Sequence, residues 1–137
     1  MKHRNEKGSA VVETALVVPI LLLLVFGIAD FGIALYRQEV LTNATREGAR
    51  AGVILAVPAV TCDQVKTVVT NYLQSAGWNQ SLATVNASGG CAPPVPSFGS
   101  NLTVTATYPH TFIVLSGFLS SLPASITLTS QTVMKHE

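Results

Sequence analysis

The sequence predicts an α+β protein that combines a long N-terminal membrane helix with a second helix and a short antiparallel sheet. Three observations lead to this class. A nearly uncharged apolar run lies close to the N-terminus, and a helical pattern of small and apolar residues continues from it without a break. The second half of the chain alternates apolar with polar residues, which is typical of strands. With 137 residues, the chain has the length of one ordinary domain.

The N-terminal segment has the features of a membrane span. Residues 1–8 are polar and basic, whereas residues 9–29 carry Glu13 as their only charge. A helix of that length spans about 32 Å, close to the hydrocarbon thickness of a bilayer. Because the Lys and Arg residues precede the span, we expect the N-terminus in the cytoplasm and residues 30–137 on the far side of the membrane.

An ordinary secretory signal peptide is the alternative interpretation of this segment. Gly27 to Ala29 offers a small-x-small cleavage site, which would make the protein a secreted or membrane-anchored periplasmic binding or adhesion module. Against it stand the acid within the apolar run, a glycine at the polar–apolar boundary, and a helical pattern that continues past Ala29. An acid at the bilayer centre costs about 2.5–3.5 kcal/mol on insertion scales.

Two motifs resemble a known family. The run GSAVVE, from Gly8 to Glu13, is similar to the prepilin peptidase site of type IV pilins and pseudopilins. The wider run from Gly8 to Gly52 resembles the TadE-like minor pilins of tight-adherence (Flp) pilus systems, through its VE-x-AL-x-x-P core and its later REGAR. The resemblance covers about the first 55 residues closely, and the remainder of the chain only in general layout.

The resemblance implies a function, partners and a division of the chain. A prepilin peptidase would cut between Gly8 and Ser9, leaving a leader over residues 1–8, a transmembrane part over 9–29 and an exported pilin-like domain over 30–137. The protein would then be a minor pilin or pseudopilin of the bacterial inner membrane, or of the extracellular pilus. Its partners would be other pilin subunits and the pilus assembly machinery.

Glu13 has two interpretations. By similarity to pilins, its carboxylate would attract the new amine of Ser9 on a neighbouring subunit and set the register of assembly. An unpaired acid in the apolar zone is expensive, which favours such a partner. Alternatively, Glu13 caps its own first helical turn, where an acid suits the helix dipole.

The helix is predicted to continue to about Leu55 with one buried face. Glu39, Asn43, Arg46 and Arg50 fall on the opposite face. Small or apolar residues define the predicted buried face: Ile33, Val40, Leu41, Ala44, Gly48, Ala51, Gly52 and Leu55.

Two sets of residues on this helix are candidates for contacts. Ala44, Gly48 and Gly52 are spaced four apart, so another backbone could approach closely, either the protein's own sheet or a helix of another subunit. Arg46, Glu47 and Arg50 form either a solvated helix face or a surface for a partner.

The second half is predicted to hold a helix over Asp63–Ala76 and three strands. Thr61 or Cys62 would begin the helix and Gly77 would end it. Its buried stripe is expected to be Val65, Val68, Val69 and Tyr72. The strands cover residues 83–87, 102–108 and 126–133. The apolar stretch over 110–123 is too short to span a bilayer and forms either core or a surface covered on assembly.

Cys62 and Cys91 lie 29 positions apart, a spacing that fits neither a CxxC redox pair nor a metal site. In an exported domain they predict a disulfide rather than two free thiols. Closing a loop of that size would stabilise the fold by about 3 kcal/mol.

The sequence shows little sign of catalysis. His3, His110 and His136 are scattered, and HExxH, GxSxG and P-loop motifs are absent from the sequence. We therefore expect no catalytic residues, metal or cofactor; a cysteine nucleophile with His110 as base is a minor alternative. The formal net charge of +1 gives no reason to expect a nucleic-acid partner.

Overall fold

The secondary structure comes from a computed structural model that describes residues 4–54, 58–91, 98–114, 117 and 124–136. The elements in chain order are helix α1 (Arg4–Gly52), helix α2 (Cys62–Ser75), a short 3-10 helix (Gln80–Leu82), and strands β1 (Thr84–Gly89), β2 (Asn101–Thr111) and β3 (Ser125–Lys135). The three strands form one sheet in the order β1-β2-β3, and β1 pairs with β2 in antiparallel orientation. The predicted α+β class is confirmed.

The chain divides into two compact units, and α1 contributes to both. The first, here called the anchor unit, contains residues 1–34 and 111–124. The second, the sheet unit, contains residues 35–110 and 125–137.

The core of the sheet unit lies between the C-terminal part of α1, helix α2 and strand β2. Along β2 the buried side chains alternate with partly exposed threonines, because successive strand residues point to opposite faces. In the β1–β2 register, Val85 lies opposite Ala106 and Ala87 opposite Val104, so both strands present apolar residues to the same side. The fully buried residues of this core are Leu41, Ala44, Ala49, Val65, Val69, Leu73, Leu102, Val104 and Ala106.

Helix α2 begins and ends where its capping residues predict. The Thr61 hydroxyl accepts a hydrogen bond from the Gln64 backbone N–H, and the Gln64 side chain accepts one from the Thr61 N–H. This reciprocal pair satisfies two N–H groups that a helix start leaves unpaired. At the other end, Gly77 has a φ of +81°, a conformation that glycine adopts without strain.

The predicted buried faces of both helices are partly wrong. On α2 the buried residues are Val65, Val69 and Leu73, whereas Val68 and Tyr72 are only half-buried. Leu73 replaces Val68 and Tyr72 on the buried face, because the elements that pack against α2 decide which of its apolar residues are covered. On α1, Ile33 is 42% exposed and its neighbour Ala34 is buried.

Other predictions about α1 agree with the structure. Glu39, Asn43, Arg46 and Arg50 are exposed, as expected for the face away from the core. The helix ends at Gly52, a few residues before the predicted end near Leu55, which lies outside the described residues.

The apolar connection between β2 and β3 is described only in part. Residues 115–116 and 118–123 lie outside the described ranges, so the prediction that this stretch is core or a covered surface stays untested there. Within the anchor unit, the Phe112 ring lies 5.7 Å from the Phe31 ring, centroid to centroid.

Candidate membrane-anchoring and assembly site

The first half of α1 exposes large apolar side chains on all its sides. Val11, Leu16, Ile20 and Ile28 are each about two-thirds exposed, at 68%, 67%, 68% and 67%. The most apolar 18-residue window has a mean hydropathy of 2.6, and none of it is buried within the chain. The helix is long and apolar enough to cross a membrane, although a cleaved signal sequence would meet the same two criteria.

Gly8 and Ser9 lie on the exposed surface of α1, at the start of this apolar segment. A Cβ atom added to Gly8 would have no described atom within 4 Å. The fold therefore gives no packing reason for glycine at this position. Glycine inside a helix is about 1 kcal/mol less favourable than alanine, so helix propensity gives no reason for glycine at position 8 either.

Glu13 is exposed on the same helix. Among the described residues its carboxylate has no hydrogen-bond or ion-pair partner. Because α1 begins at Arg4, Glu13 lies well beyond the first turn of the uncut helix and cannot cap its N-terminus. The hydroxyl of the next residue, Thr14, donates to the Ala10 carbonyl one turn earlier, so it is paired within the helix.

The small residues of the second half of α1 face the interior of the sheet unit. Ala44, Gly48 and Gly52 are all buried. A Cβ atom on Gly48 would overlap the Val69 side chain of α2, and one on Gly52 would overlap Leu102 of β2. The small side chains thus let α2 and β2 pack directly against the α1 backbone, and the described fold already occupies this face.

The charged residues of the same segment point outwards. Arg46 and Arg50 are exposed, and Arg50 donates from Nη2 and Nε to the two Glu47 carboxylate oxygens at 2.9 and 3.2 Å. That hydrogen bond, followed by the positive charge of Arg50, holds the pKa of Glu47 below its usual value. The same contact raises the pKa of Arg50. Arg46, Glu47 and Arg50 form a charged surface, here called the REGAR surface.

The predicted disulfide between Cys62 and Cys91 is present. It joins the first residue of α2 to a buried cysteine two positions after β1. The bond therefore ties the start of α2 to the segment that follows β1.

A hydroxyl cluster that the sequence interpretation missed attaches β3 to α1. The buried Thr45 hydroxyl lies 3.0 Å from both the Ser130 and the Thr132 hydroxyls, and donates to the Thr42 carbonyl. Buried hydroxyls need partners, and these satisfy one another. A threonine between Ala44 and Gly48 on the apolar face was the available signal, but nothing in the sequence named its partners on β3.

A second missed cluster surrounds Arg37. Its guanidinium contacts His110 Nδ1 at 2.9 Å and lies 5.9 Å from the centre of the Trp78 ring. Trp78 in turn packs on Tyr108, with the ring centroids 4.5 Å apart. Since a guanidinium only donates, His110 Nδ1 is the acceptor in this contact. His110, which the sequence analysis considered only as the base of a minor catalytic alternative, thus contributes to the packing of the sheet unit.

Asp30 is the third residue whose role the sequence did not reveal. In the sequence it is only the first residue after the predicted span over residues 9–29. The structure buries it to 4% exposure, and its Oδ2 accepts a hydrogen bond from the Val114 backbone N–H at 2.9 Å. Both residues belong to the anchor unit.

The described parts of the chain contain no group of three His, Cys, Asp or Glu side chains placed to hold a metal ion. The expectation that the protein has no cofactor and no catalytic residues stays a prediction.

One family model matches the N-terminal segment of the chain. Residues 8–50, just under a third of the chain, match the model of a family described as TadE-like protein. The resemblance stated from the sequence is thereby confirmed for this segment. TadE-like proteins are pilus-associated structural proteins of Tad pili. No curated protein and no solved structure matches the chain.

Proposed function

We propose that this chain is a minor pilin or pseudopilin, a structural or assembly subunit of a tight-adherence pilus, and not an enzyme. One observation carries the proposal: the segment that matches the TadE-like family is the segment that forms the exposed apolar helix. Side chains of that size and number need a nonpolar environment, which a membrane or neighbouring apolar helices supply.

In the proposed topology, residues 1–8 are a cytoplasmic leader, residues 9–29 cross the inner membrane, and residues 30–137 are exported. The basic residues before the span favour this orientation. The Cys62–Cys91 disulfide supports export, because disulfides persist in oxidising compartments.

Prepilin peptidase is the proposed processing enzyme, with Gly8 as its recognition residue. The family match begins at Gly8, and no described neighbour requires glycine there. Alanine at position 8 would fit without a clash, so any loss of cleavage would report on recognition and not on folding.

Processing is tested by N-terminal sequencing of the mature protein. We expect the mature chain to begin at Ser9, and Gly8→Ala to slow cleavage. Lys2→Gln and Arg4→Gln are the controls, and each should slow cleavage less than Gly8→Ala. A mature chain that begins at Asp30 would instead identify an ordinary signal peptide and would refute the pilin proposal.

Glu13 is proposed to pair with the Ser9 amine of a neighbouring subunit. Two observations support this role. Glu13 has no partner among the described residues, and it lies in a segment where an unpaired carboxylate is costly. Cleavage after Gly8 would create a positive amine four residues before Glu13 in every subunit. An amine from a neighbouring subunit would neutralise the carboxylate without exposing it to lipid.

The variant Glu13→Gln distinguishes an ion pair with the Ser9 amine of a neighbouring subunit from capping of the chain's own first helical turn. Glutamine retains much of the capping ability of glutamate but has no charge. The pairing role predicts normal membrane insertion and normal cleavage, with weaker crosslinking to pilus partners and fewer pili by electron microscopy. Pili at the wild-type level in the Glu13→Gln strain would show that the mature chain needs only a local cap.

A further inference from the structure

Two parts of the anchor unit that are distant in sequence meet at the end of the apolar run. Asp30 is the first charged residue after the uncharged stretch from Thr14 to Ala29. Its carboxylate accepts the hydrogen bond from the Val114 N–H, and the next residue along the helix, Phe31, packs on Phe112. Residues 112–114 therefore lie beside residues 30–31.

This contact fixes the depth of residues 112–114 if α1 spans the membrane. A carboxylate resists entry into hydrocarbon, so Asp30 belongs at the boundary between the acyl chains and the polar layer. The bond of 2.9 Å holds the Val114 backbone within one hydrogen-bond length of that boundary.

The side chains at this depth are apolar and open. Ile113 is 75% exposed, and Phe31 on the helix is 57% exposed. The whole stretch from Thr111 to Ala124 contains no charged residue. An exposed isoleucine in an uncharged stretch at the membrane boundary suits an interfacial contact with lipid.

We infer that residues 112–114 form a second membrane contact, in which the Ile113 side chain enters the boundary between headgroups and acyl chains where α1 leaves the bilayer. This inference rests on the membrane span of α1 included in the proposed function. Lipid is the occupant because it is the apolar medium that the span itself places at the depth of Asp30. The contact would hold the start of the β2–β3 connection at the membrane surface.

Tryptophan quenching by lipid tests this contact in the full-length protein. Trp78, the single tryptophan of the chain, is first replaced by phenylalanine. Single tryptophans are then introduced as Ile113→Trp, Phe26→Trp and Asn43→Trp. The proteins are reconstituted in phosphatidylethanolamine and phosphatidylglycerol vesicles, with and without brominated acyl chains.

The two other positions are reference points. Phe26 lies within the apolar run, whereas Asn43 is exposed in the sheet unit and lies 13 residues after Asp30 in the sequence. Phe26→Trp reports whether α1 is inserted, and Asn43→Trp reports the signal expected outside the membrane.

We expect brominated lipid to quench Ile113→Trp severalfold more than Asn43→Trp, and aqueous iodide to show the reverse order. If Phe26→Trp is quenched but Ile113→Trp is not quenched more than Asn43→Trp, the lipid contact is wrong while the membrane span stands. If Phe26→Trp is not quenched either, the span fails and this inference fails with it. Shielding of Ile113→Trp only when other pilus components are present would mean that protein, and not lipid, covers it.

Discussion

The two halves of α1 are both apolar helix, but they meet different surroundings. Before Asp30 the helix carries large side chains such as Leu16 and Ile20, which are exposed. Between Leu41 and Gly52 its inward face carries small residues, and α2 and β2 pack against them. Large exposed side chains suit a nonpolar solvent, whereas small side chains allow other backbones to approach. Side-chain size, more than hydropathy, separates the part of the helix that faces outwards from the part that builds the fold.

Removing the disulfide should separate the two halves most strongly. In the double variant Cys62→Ser/Cys91→Ser, the free energy of unfolding of the sheet unit should fall by about 3–4 kcal/mol, because the unfolded chain loses a closed loop. The first half of α1 makes no use of this bond, so membrane association should not change. Trp78 fluorescence during denaturation in detergent measures the first quantity, and the membrane-bound fraction measures the second.

Wild-type protein in reductant is the matched control for the disulfide variant and should show the same loss of stability. Mass spectrometry of unreduced peptides should show the Cys62–Cys91 link directly. Two freely alkylatable thiols in protein purified without reductant would contradict the disulfide.

A glycine-to-alanine substitution on α1 should destabilise the protein in the sheet unit but not in the anchor unit. In Gly48→Ala the new methyl overlaps the buried, β-branched Val69, which has little freedom to move. Overpacking of this kind costs about 1–3 kcal/mol, which exceeds the gain in helix propensity. The midpoint of the Trp78 unfolding transition should therefore decrease.

Gly32→Ala is the control on the same helix. No described atom lies within 4 Å of a Cβ added there. We expect no loss of stability, or a gain of up to about 1 kcal/mol from better helix propensity. Equal effects of the two substitutions would contradict this distinction between the anchor unit and the sheet unit.

The sequence predicted the elements whose signals are local. The capping pair Thr61 and Gln64 and the alternation along β2 depend on neighbouring residues, so the start of α2 and the buried side of the strand could be predicted from the sequence. The cysteine pair could be predicted because only one pairing exists within the chain. Gly8 and Glu13 were singled out through the resemblance of GSAVVE to a pilin cleavage site and through their positions relative to the apolar run, and their roles stay predictions.

The missed features depend on contacts between distant residues. Thr45 bonds Ser130 from 85 positions away, and Asp30 bonds Val114 from 84 positions away. Ile33 and Ala34 are adjacent and both apolar, so the pattern alone could not decide which is buried. Which residue is buried depends on the element that packs against the helix. The position of that element cannot be read from a single sequence.

The REGAR surface should show the smallest effect on stability. Glu47 and Arg50 are substantially exposed, with side-chain exposures of 42% and 71%, and exposed ion pairs contribute little to stability. The hydrogen bond from Arg50 lowers the pKa of Glu47 in the folded state. The pair therefore adds its full stabilisation of the fold at pH values above the unfolded-state pKa of Glu47. This stabilisation is lost as the pH falls through the lower folded-state pKa. Glu47→Gln should leave the unfolding midpoint, followed by Trp78 fluorescence, unchanged at neutral pH. On acidification the midpoint of the wild type should fall slightly, and in Glu47→Gln this fall should be smaller.

Arg46→Gln is the matched control for Glu47→Gln, because Arg46 is exposed on the same surface outside the Glu47–Arg50 pair. It should leave both the neutral midpoint and the acid decline as in the wild type. A large loss of stability in Glu47→Gln would show that the pair supports the fold and would contradict its assignment to an open surface. Counting pili in the same two strains then tests whether the outward face of α1 contacts a partner. Fewer pili with an unchanged unfolding curve would mean that the outward face contacts a partner, since the fold itself would be intact. Wild-type numbers of pili in both strains would mean that the REGAR surface is a solvated helix face with no role in pilus assembly. The function of this part of α1 would then be the packing of its small inward-facing residues.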